Sequence, residues 1–253
     1  MWFCILIVCL ISFSEGNGLE VINGNDAQKG QFPWQVLVAS STPDNDDVVC
    51  SGAIISHDWI LTSAYCVYEM DSVGVFPGIF DLRDIPGHMI VAKTVIVHED
   101  YNNKTLKNDI GLVKLESSLV FDETIQAITL SEDVIGDAVN VTISGWGHSN
   151  NDQDNLTTIL QYATVPTIKN SECAKFYGSD VVTLNVLCTH NSDLVKGPCF
   201  NDGGAPLIIN AGTDPQHVGI FSFLGEHGCE KNYPAGYTRT ASYLNWVKNK
   251  TGI

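Results

Sequence analysis

Short runs of β-branched, aliphatic and aromatic residues, separated by turn-forming clusters, make up most of this chain. Gln35 to Ala39, Ala53 to Leu61, Met89 to Val97, Ile110 to Leu115, Val139 to Ser144, Leu160 to Val165, Leu207 to Ile209 and Val218 to Phe223 are such runs. Clusters such as Pro43-Asp44-Asn45-Asp46-Asp47 and Ser149-Asn150-Asn151-Asp152 divide them. Many short strands with turn signals between them predict an all-β sandwich or barrel. Helical spacing stands out at the end of the chain. There Tyr243, Trp246 and Val247 recur at i, i+3 and i+4, and Gly252 follows as a C-cap. The acid-rich stretch from Glu116 to Asp137 reads as a connection between two halves of similar size.

Composition narrows the picture. Apolar residues make up 44% of the 253, enough for one large or two small cores. Twenty-nine Asp and Glu against 13 Lys and Arg give a formal charge of −16. That charge repels phosphates and anionic lipid heads, which sets aside nucleic acid and membrane surfaces as partners. The apolar run Trp2 to Phe13, followed by small residues, is too short to span a bilayer and reads as a secretory signal over residues 1–16. Its removal takes Cys4 and Cys9 and leaves six cysteines. An even count in a secreted chain predicts a disulfide framework, with fifteen connectivities open. There is no C-x-x-C, H-E-x-x-H or P-loop motif, and the seven His residues are scattered, so neither a metal nor another cofactor is expected. N-x-S/T sequons stand at Asn103, Asn140, Asn155 and Asn249, of which Asn140 falls inside an apparent strand.

Seven ordered motifs resemble those of the chymotrypsin-like serine endopeptidases, the insect chymotrypsins most closely. Val21-Ile-Asn-Gly24 and Gly30-Gln-Phe-Pro-Trp-Gln-Val36 resemble the start of the mature enzyme. Leu61-Thr-Ser-Ala-Tyr-Cys66, Asn108-Asp-Ile-Gly-Leu-Val-Lys-Leu115 and Cys199-Phe-Asn-Asp-Gly-Gly-Ala-Pro-Leu207 resemble the segments that carry the catalytic His, Asp and Ser. Ser144-Gly-Trp-Gly147 and Tyr233-Pro-Ala-Gly-Tyr-Thr-Arg239 are further markers. The resemblance covers residues 21–253. It implies two six-stranded antiparallel β-barrels with a C-terminal α-helix: an N-barrel over about 21–125, a C-barrel over about 126–240 and a helix over about 241–251. A propeptide over 17–20 would precede them. It also implies the pairs Cys50–Cys66, Cys173–Cys188 and Cys199–Cys229.

The same resemblance places Tyr65, Asp109 and Gly203 at the three triad positions. Peptide hydrolysis on this scaffold needs a hydroxyl nucleophile, an imidazole to take its proton and a carboxylate to orient the imidazole. A phenol, with an ordinary pKa near 10, is a poor base at neutral pH. Gly203 offers no side chain, so no acyl-enzyme can form on it. Asp109 alone is retained, and its carboxylate is expected to be held by hydrogen bonds, the Tyr65 hydroxyl among them. Asn201 stands where the family has a Gly that donates to the oxyanion, and it adopts unusual backbone angles less readily. The substrate pocket would comprise Gly197 at its floor, neutral rather than acidic, with Ser222, Phe223 and Leu224 along its wall. Leu224 replaces a Gly and should narrow the entrance. Family zymogens are cut before the residue matching Val21, whose new amine pairs with the Asp matching Asp202. Glu20 at that bond is not a trypsin site.

These features predict a secreted protease homologue without activity, monomeric and without cofactor. It would act by binding proteins or peptides: proteases, protease inhibitors or their substrates. Such relatives serve as cofactors, decoys or modulators of proteolysis. The rival reading is an active endopeptidase of chymotrypsin- or elastase-like specificity that recruits another nucleophile.

Overall fold

The computed structural model describes residues 24–44, 46–84, 89–148, 157–190, 197–226, 228–229, 231 and 233–253. The expected signal and propeptide, Val21 and the sequon at Asn155 lie outside them. In chain order the elements are β1 (Asn25–Asp26), β2 (Gln35–Ser41), β3 (Asp47–Ile54), β4 (Trp59–Thr62), β5 (Ser72–Pro77), β6 (Ile90–Val97) and β7 (Gly111–Leu115). There follow β8 (Thr129–Leu130), β9 (Asn140–Gly145), β10 (Gln161–Ile168), α1 (Asn170–Tyr177), β11 (Val186–Thr189) and β12 (Pro206–Ile209). The chain ends with β13 (Gln216–Phe223), β14 (Ala235–Arg239) and α2 (Leu244–Thr251).

Strands β2, β3, β4, β7, β6 and β5 close into one antiparallel barrel. Strands β9, β10, β11, β14, β13 and β12 close into a second, because β10 also pairs with β9. Closure leaves no barrel strand with an unpaired edge, which suits a chain of many short strands. Alternation fixes which face turns inward. In β10, Gln161, Ala163, Val165 and Thr167 are buried, and the residues between them are more exposed. The short strand β1 joins the second barrel by pairing with β10, so the segment ahead of the first barrel is anchored to its neighbour.

The barrels share apolar layers. Trp34, Leu37 and Ala53 of the first meet Trp146, Leu160 and Ile208 of the second. Leu61, Ile110 and Leu112 pack with Ile220, Tyr243 and Val247. The Gln35 carboxamide oxygen accepts from the Ser144 hydroxyl at 2.8 Å across the same seam. Helix α2 ends at Gly252, which is left-handed at φ 79° and whose N–H bonds the Lys248 carbonyl. Its Trp246 indole and Lys250 ammonium both engage Glu99, tying the C-terminus to the first barrel.

The single run read over Ala53 to Leu61 is two strands of a hairpin. Ser56, His57 and Asp58 turn the chain so that Ala53 pairs with Leu61 and Ile54 with Ile60. The signal was missed because all four flanking positions are apolar. Strands β5, β11 and β14 and helix α1 were not foreseen. Gly74 and Gly236 interrupt the apolar residues around them, yet each lies within a ladder. In α1 only Cys173 is buried and no side chain caps the start, so the helix leaves no amphipathic pattern. The disulfides are Cys50–Cys66, Cys173–Cys188 and Cys199–Cys229.

Candidate functional site

A cleft of about 500 Å³ opens where the two barrels meet. Its walls include Tyr65 and the Cys50 edge of β3 on one side, Ser222 to Gly225 on the other, and the Cys199–Gly203 turn between them. Tyr65, Asn201, Gly203, Ser222, Phe223 and Leu224 are therefore brought to one place. Gly197, read as a pocket floor, is buried and does not line the cleft. Leu224 lines the cleft and packs against the Cys199–Cys229 disulfide and the core of the second barrel, so its branched side chain forms part of the wall.

Asp109 lies at the head of β7, wholly buried. Its Oδ2 accepts from the Ser222 hydroxyl at 2.6 Å, and its Oδ1 accepts from the Tyr65 main-chain N–H at 2.9 Å. The expected bond from the Tyr65 hydroxyl is not made. Tyr65 is 53% exposed, and the ring leans over the cleft rather than back onto the carboxylate. A phenol is longer than an imidazole, and burial of its polar tip without a partner would cost free energy. The Asp109 segment is also held from behind, where the Thr238 hydroxyl donates to the Asp109 carbonyl at 2.7 Å and the Tyr243 hydroxyl to Asn108 at 2.8 Å.

Gly203 sits in the turn beside Tyr65, where a side chain would be tightly placed. A Cβ there would sit 3.3 Å from the sulfurs of Cys50 and Cys66 and 3.7 Å from the Tyr65 ring. Position 203 thus faces position 65 across the cleft, at contact distance. Asn201 takes φ 68°, a left-handed conformation that Asn tolerates better than most side chains. The backbone angle expected to be a difficulty is thus accommodated. What differs is the carboxamide, whose Nδ2 lies 2.6 Å from His148 Nε2. His148 is buried and lines the cleft. It was missed from the sequence, although it directly follows the Gly-Trp-Gly147 motif. Leu106 and Phe200 also line the cleft unforeseen.

Asp202, between Asn201 and Gly203, is fully buried and points away from the cleft. Its oxygens accept from the Gly147 N–H at 2.8 Å and the Cys199 N–H at 2.9 Å. A Cβ on Gly145 or Gly147 would collide with this carboxylate, which is why that strand end needs glycine.

Burial pushes Asp109 up to about 6 and Asp202 up to about 7, against hydrogen bonds that pull the other way. In the unfolded chain both ionise near pH 4, so between pH 4 and 7 the native state holds more protons. Stability must then fall as pH rises through that window, by on the order of 2–4 kcal/mol per group. Urea midpoints should be lower at pH 7.5 than at pH 4.5, and Asp109→Asn or Asp202→Asn should flatten the curve. A midpoint that rises with pH would contradict this.

Comparisons with known proteins give the family of the chain. The sequence model of the trypsin family matches residues 21–247. A collagenase of Hypoderma lineatum is 34% identical over 92% of this chain and 88% of its own. Brachyurin of Leptuca pugilator is 30% identical over 92% and 99%, and trypsin-1 of Astacus astacus is 28% identical over 90% and 98%. The solved structure of HL collagenase superposes with a TM-score of 0.83 at 33% identity, covering 92% of this chain and 99% of that one. The chain belongs to the trypsin family of chymotrypsin-like serine proteases.

Proposed function

We propose that this chain is a secreted, catalytically inactive serine protease homologue of the insect type, acting as a cofactor, decoy or modulator of proteolysis. The observation that carries the reading is Gly203 at the nucleophile position, facing Tyr65 at the position of the base. Without a hydroxyl at 203 no acyl-enzyme forms, and without an imidazole no group takes the proton. Asp109, the remaining triad residue, is tied to Ser222 and a main-chain N–H. Loss of a whole triad costs about 10⁶ in turnover in a related site. Three disulfides and the N-terminal apolar run support secretion. Partners are proteins or peptides, and the carrier of the activity is a monomer without cofactor.

The relatives bear the names collagenase, brachyurin and trypsin-1, which keeps the active reading open to test. The purified protein is incubated with a mixture of peptides of varied sequence, before and after exposure to trypsin. Mass spectrometry of the peptides should show no cleavage beyond the trypsin control. N-terminal sequencing of the treated sample should show no Val-Ile-Asn-Gly terminus, because Glu20 presents no cation to a trypsin pocket. New cleavage products of a consistent specificity would overturn the reading.

A further inference from the structure

We infer that Asn103 carries an N-linked glycan that screens one rim of the cleft and restricts its partners to short peptides. The inference deepens the binding reading above and rests on it. Asn103-Lys104-Thr105 is an N-x-T sequon, and all three residues are exposed. They form the tip of a tight turn. The Asn102 N–H bonds the Lys107 carbonyl at 3.0 Å and closes it. Inside the turn, the Asn102 side-chain oxygen accepts from the Lys104 and Thr105 N–H groups, each at 3.0 Å. Holding the turn thus falls to Asn102. The Asn103 carboxamide and the Thr105 hydroxyl take no hydrogen bond among the described residues. That carboxamide is the acceptor of the sugar. Its nitrogen bonds the anomeric carbon of a lipid-linked oligosaccharide, and the bond from that carbon to the lipid diphosphate breaks. The diphosphate leaves with its lipid, and the nitrogen gives up one proton.

The place of the turn gives the glycan its consequence. Leu106, three residues on, lines the cleft, and three residues of chain reach at most about 11 Å. Tyr101, just ahead of the turn, packs edge-on against Tyr68 at 5.3 Å, so the turn is fastened to the segment that carries Tyr65. Beyond the turn, Asn108 donates to the Asp100 carbonyl and accepts from the Tyr243 hydroxyl, each at 2.8 Å. A branched sugar chain rooted on this fixed support sweeps the space above Leu106 and the exposed Tyr65 ring. A folded protein must displace it to reach the cleft wall, whereas an extended peptide passes beneath. The other described sequons lack that position. Asn140 heads β9, where Thr142 is buried and its hydroxyl meets that of Thr164 at 3.0 Å. Asn249 lies on α2. Neither segment lines the cleft.

The test uses the full chain recovered from the medium of cultured eukaryotic cells. Peptide mapping should find Asn103 converted to Asp by a peptide N-glycosidase, the mark of an occupied site. Tyr65 then reports access to the cleft. It is labelled with a tyrosine-selective triazolinedione, once as the small reagent and once carried on a long polyethylene glycol chain. Removing the glycan should leave the small reagent's rate at Tyr65 unchanged and speed the large one at least about fivefold. Asn103→Gln and Thr105→Ala should behave as the deglycosylated protein. Thr105→Ser, which keeps the sequon, should behave as the wild type. The turn is held by main-chain groups and Asn102, so these variants should fold alike. An unmodified Asn103, or a large-reagent rate at Tyr65 that deglycosylation does not change, would overturn the screen. Catalysis is tested separately by the peptide-cleavage assay above, where cleavage would overturn the non-catalytic reading alone.

Discussion

Restoring the two missing side chains together, Tyr65→His and Gly203→Ser, should leave turnover of apolar peptide substrates at least a hundredfold below that of a chymotrypsin assayed in parallel. Much of the scaffold is in place. Position 203 needs no positive φ, Asp109 stands beside position 65, and a Cβ at 203 needs the Cys50 and Cys66 sulfurs, 3.3 Å away, to give only by a few tenths of an ångström. The deficit arises around the triad. The Asn201 carboxamide and His148 stand beside the donors that an oxyanion needs, and the loss of one such donor costs about 10²–10³ in turnover. Leu224 packs into the second barrel and the Cys199–Cys229 disulfide, which restricts the substrate side chain. Glu20 is not a trypsin site, so the Val21 amine should stay unreleased and Asp202 should keep its bonds to Gly147 and Cys199. Adding Asn201→Gly, Leu224→Gly and Glu20→Arg, followed by trypsin treatment, should recover much more activity. A double revertant that equals the reference enzyme would show that only the triad has decayed.

A second large effect is expected one residue further along. Gly204 takes φ 78°, and a Cβ there would strike the Ser51 carbonyl and the Thr62 hydroxyl. Those two groups are bonded to each other at 2.7 Å, and the Gly204 N–H bonds the Phe221 carbonyl. Neither the main chain of Ser51 nor the φ angle can yield cheaply. Gly204→Ala should therefore cost more than about 3 kcal/mol, or abolish secretion. Gly203→Ala, beside it, needs no positive φ and presses only slightly on the Cys50 and Cys66 sulfurs, 3.3 Å away, so it should cost no more than about 1–2 kcal/mol. Urea midpoints of the two variants, or secreted yields where Gly204→Ala does not fold, make the comparison. Equal stability would contradict the account of this turn.

The contrast between these neighbouring glycines shows what the sequence could and could not reveal. Gly203 was readable as a departure from the family's pattern because the motif it stands in resembles the one that carries a Ser. Gly204 gave no local sign of its left-handed angle or of Ser51 behind it, since both follow from the packing of one barrel on the other. The same division holds for the elements. Alternation was legible in Leu160 to Val165, where one face is buried and the other is not. It was hidden in β3 and β4, whose facing ends Ala53, Ile54, Ile60 and Leu61 are all fully buried, so a hairpin read as one run. Strand β14 was missed because Gly236 interrupts the apolar residues around it. The Phe223 ring in fact occupies the space beside Gly236, where any Cβ would collide with it. At the site, Tyr65, Asn201 and Leu224 were legible by position, but the partners they took were not. Tyr65 turned outward while only its main chain engaged Asp109, and Asn201 found His148, a residue 53 positions away. Those pairings depend on side-chain length and on which polar tip can stay in water, neither of which is written in motif spacing.

The central claim is that no nucleophile operates in this cleft. It is tested most directly by treating the secreted protein with an irreversible fluorophosphonate and measuring its intact mass beside an active trypsin-family enzyme. The wild type should keep its mass, and a Glu20→Arg, Tyr65→His, Gly203→Ser variant should take up a single adduct after trypsin treatment. A stoichiometric adduct on the wild-type chain would contradict it.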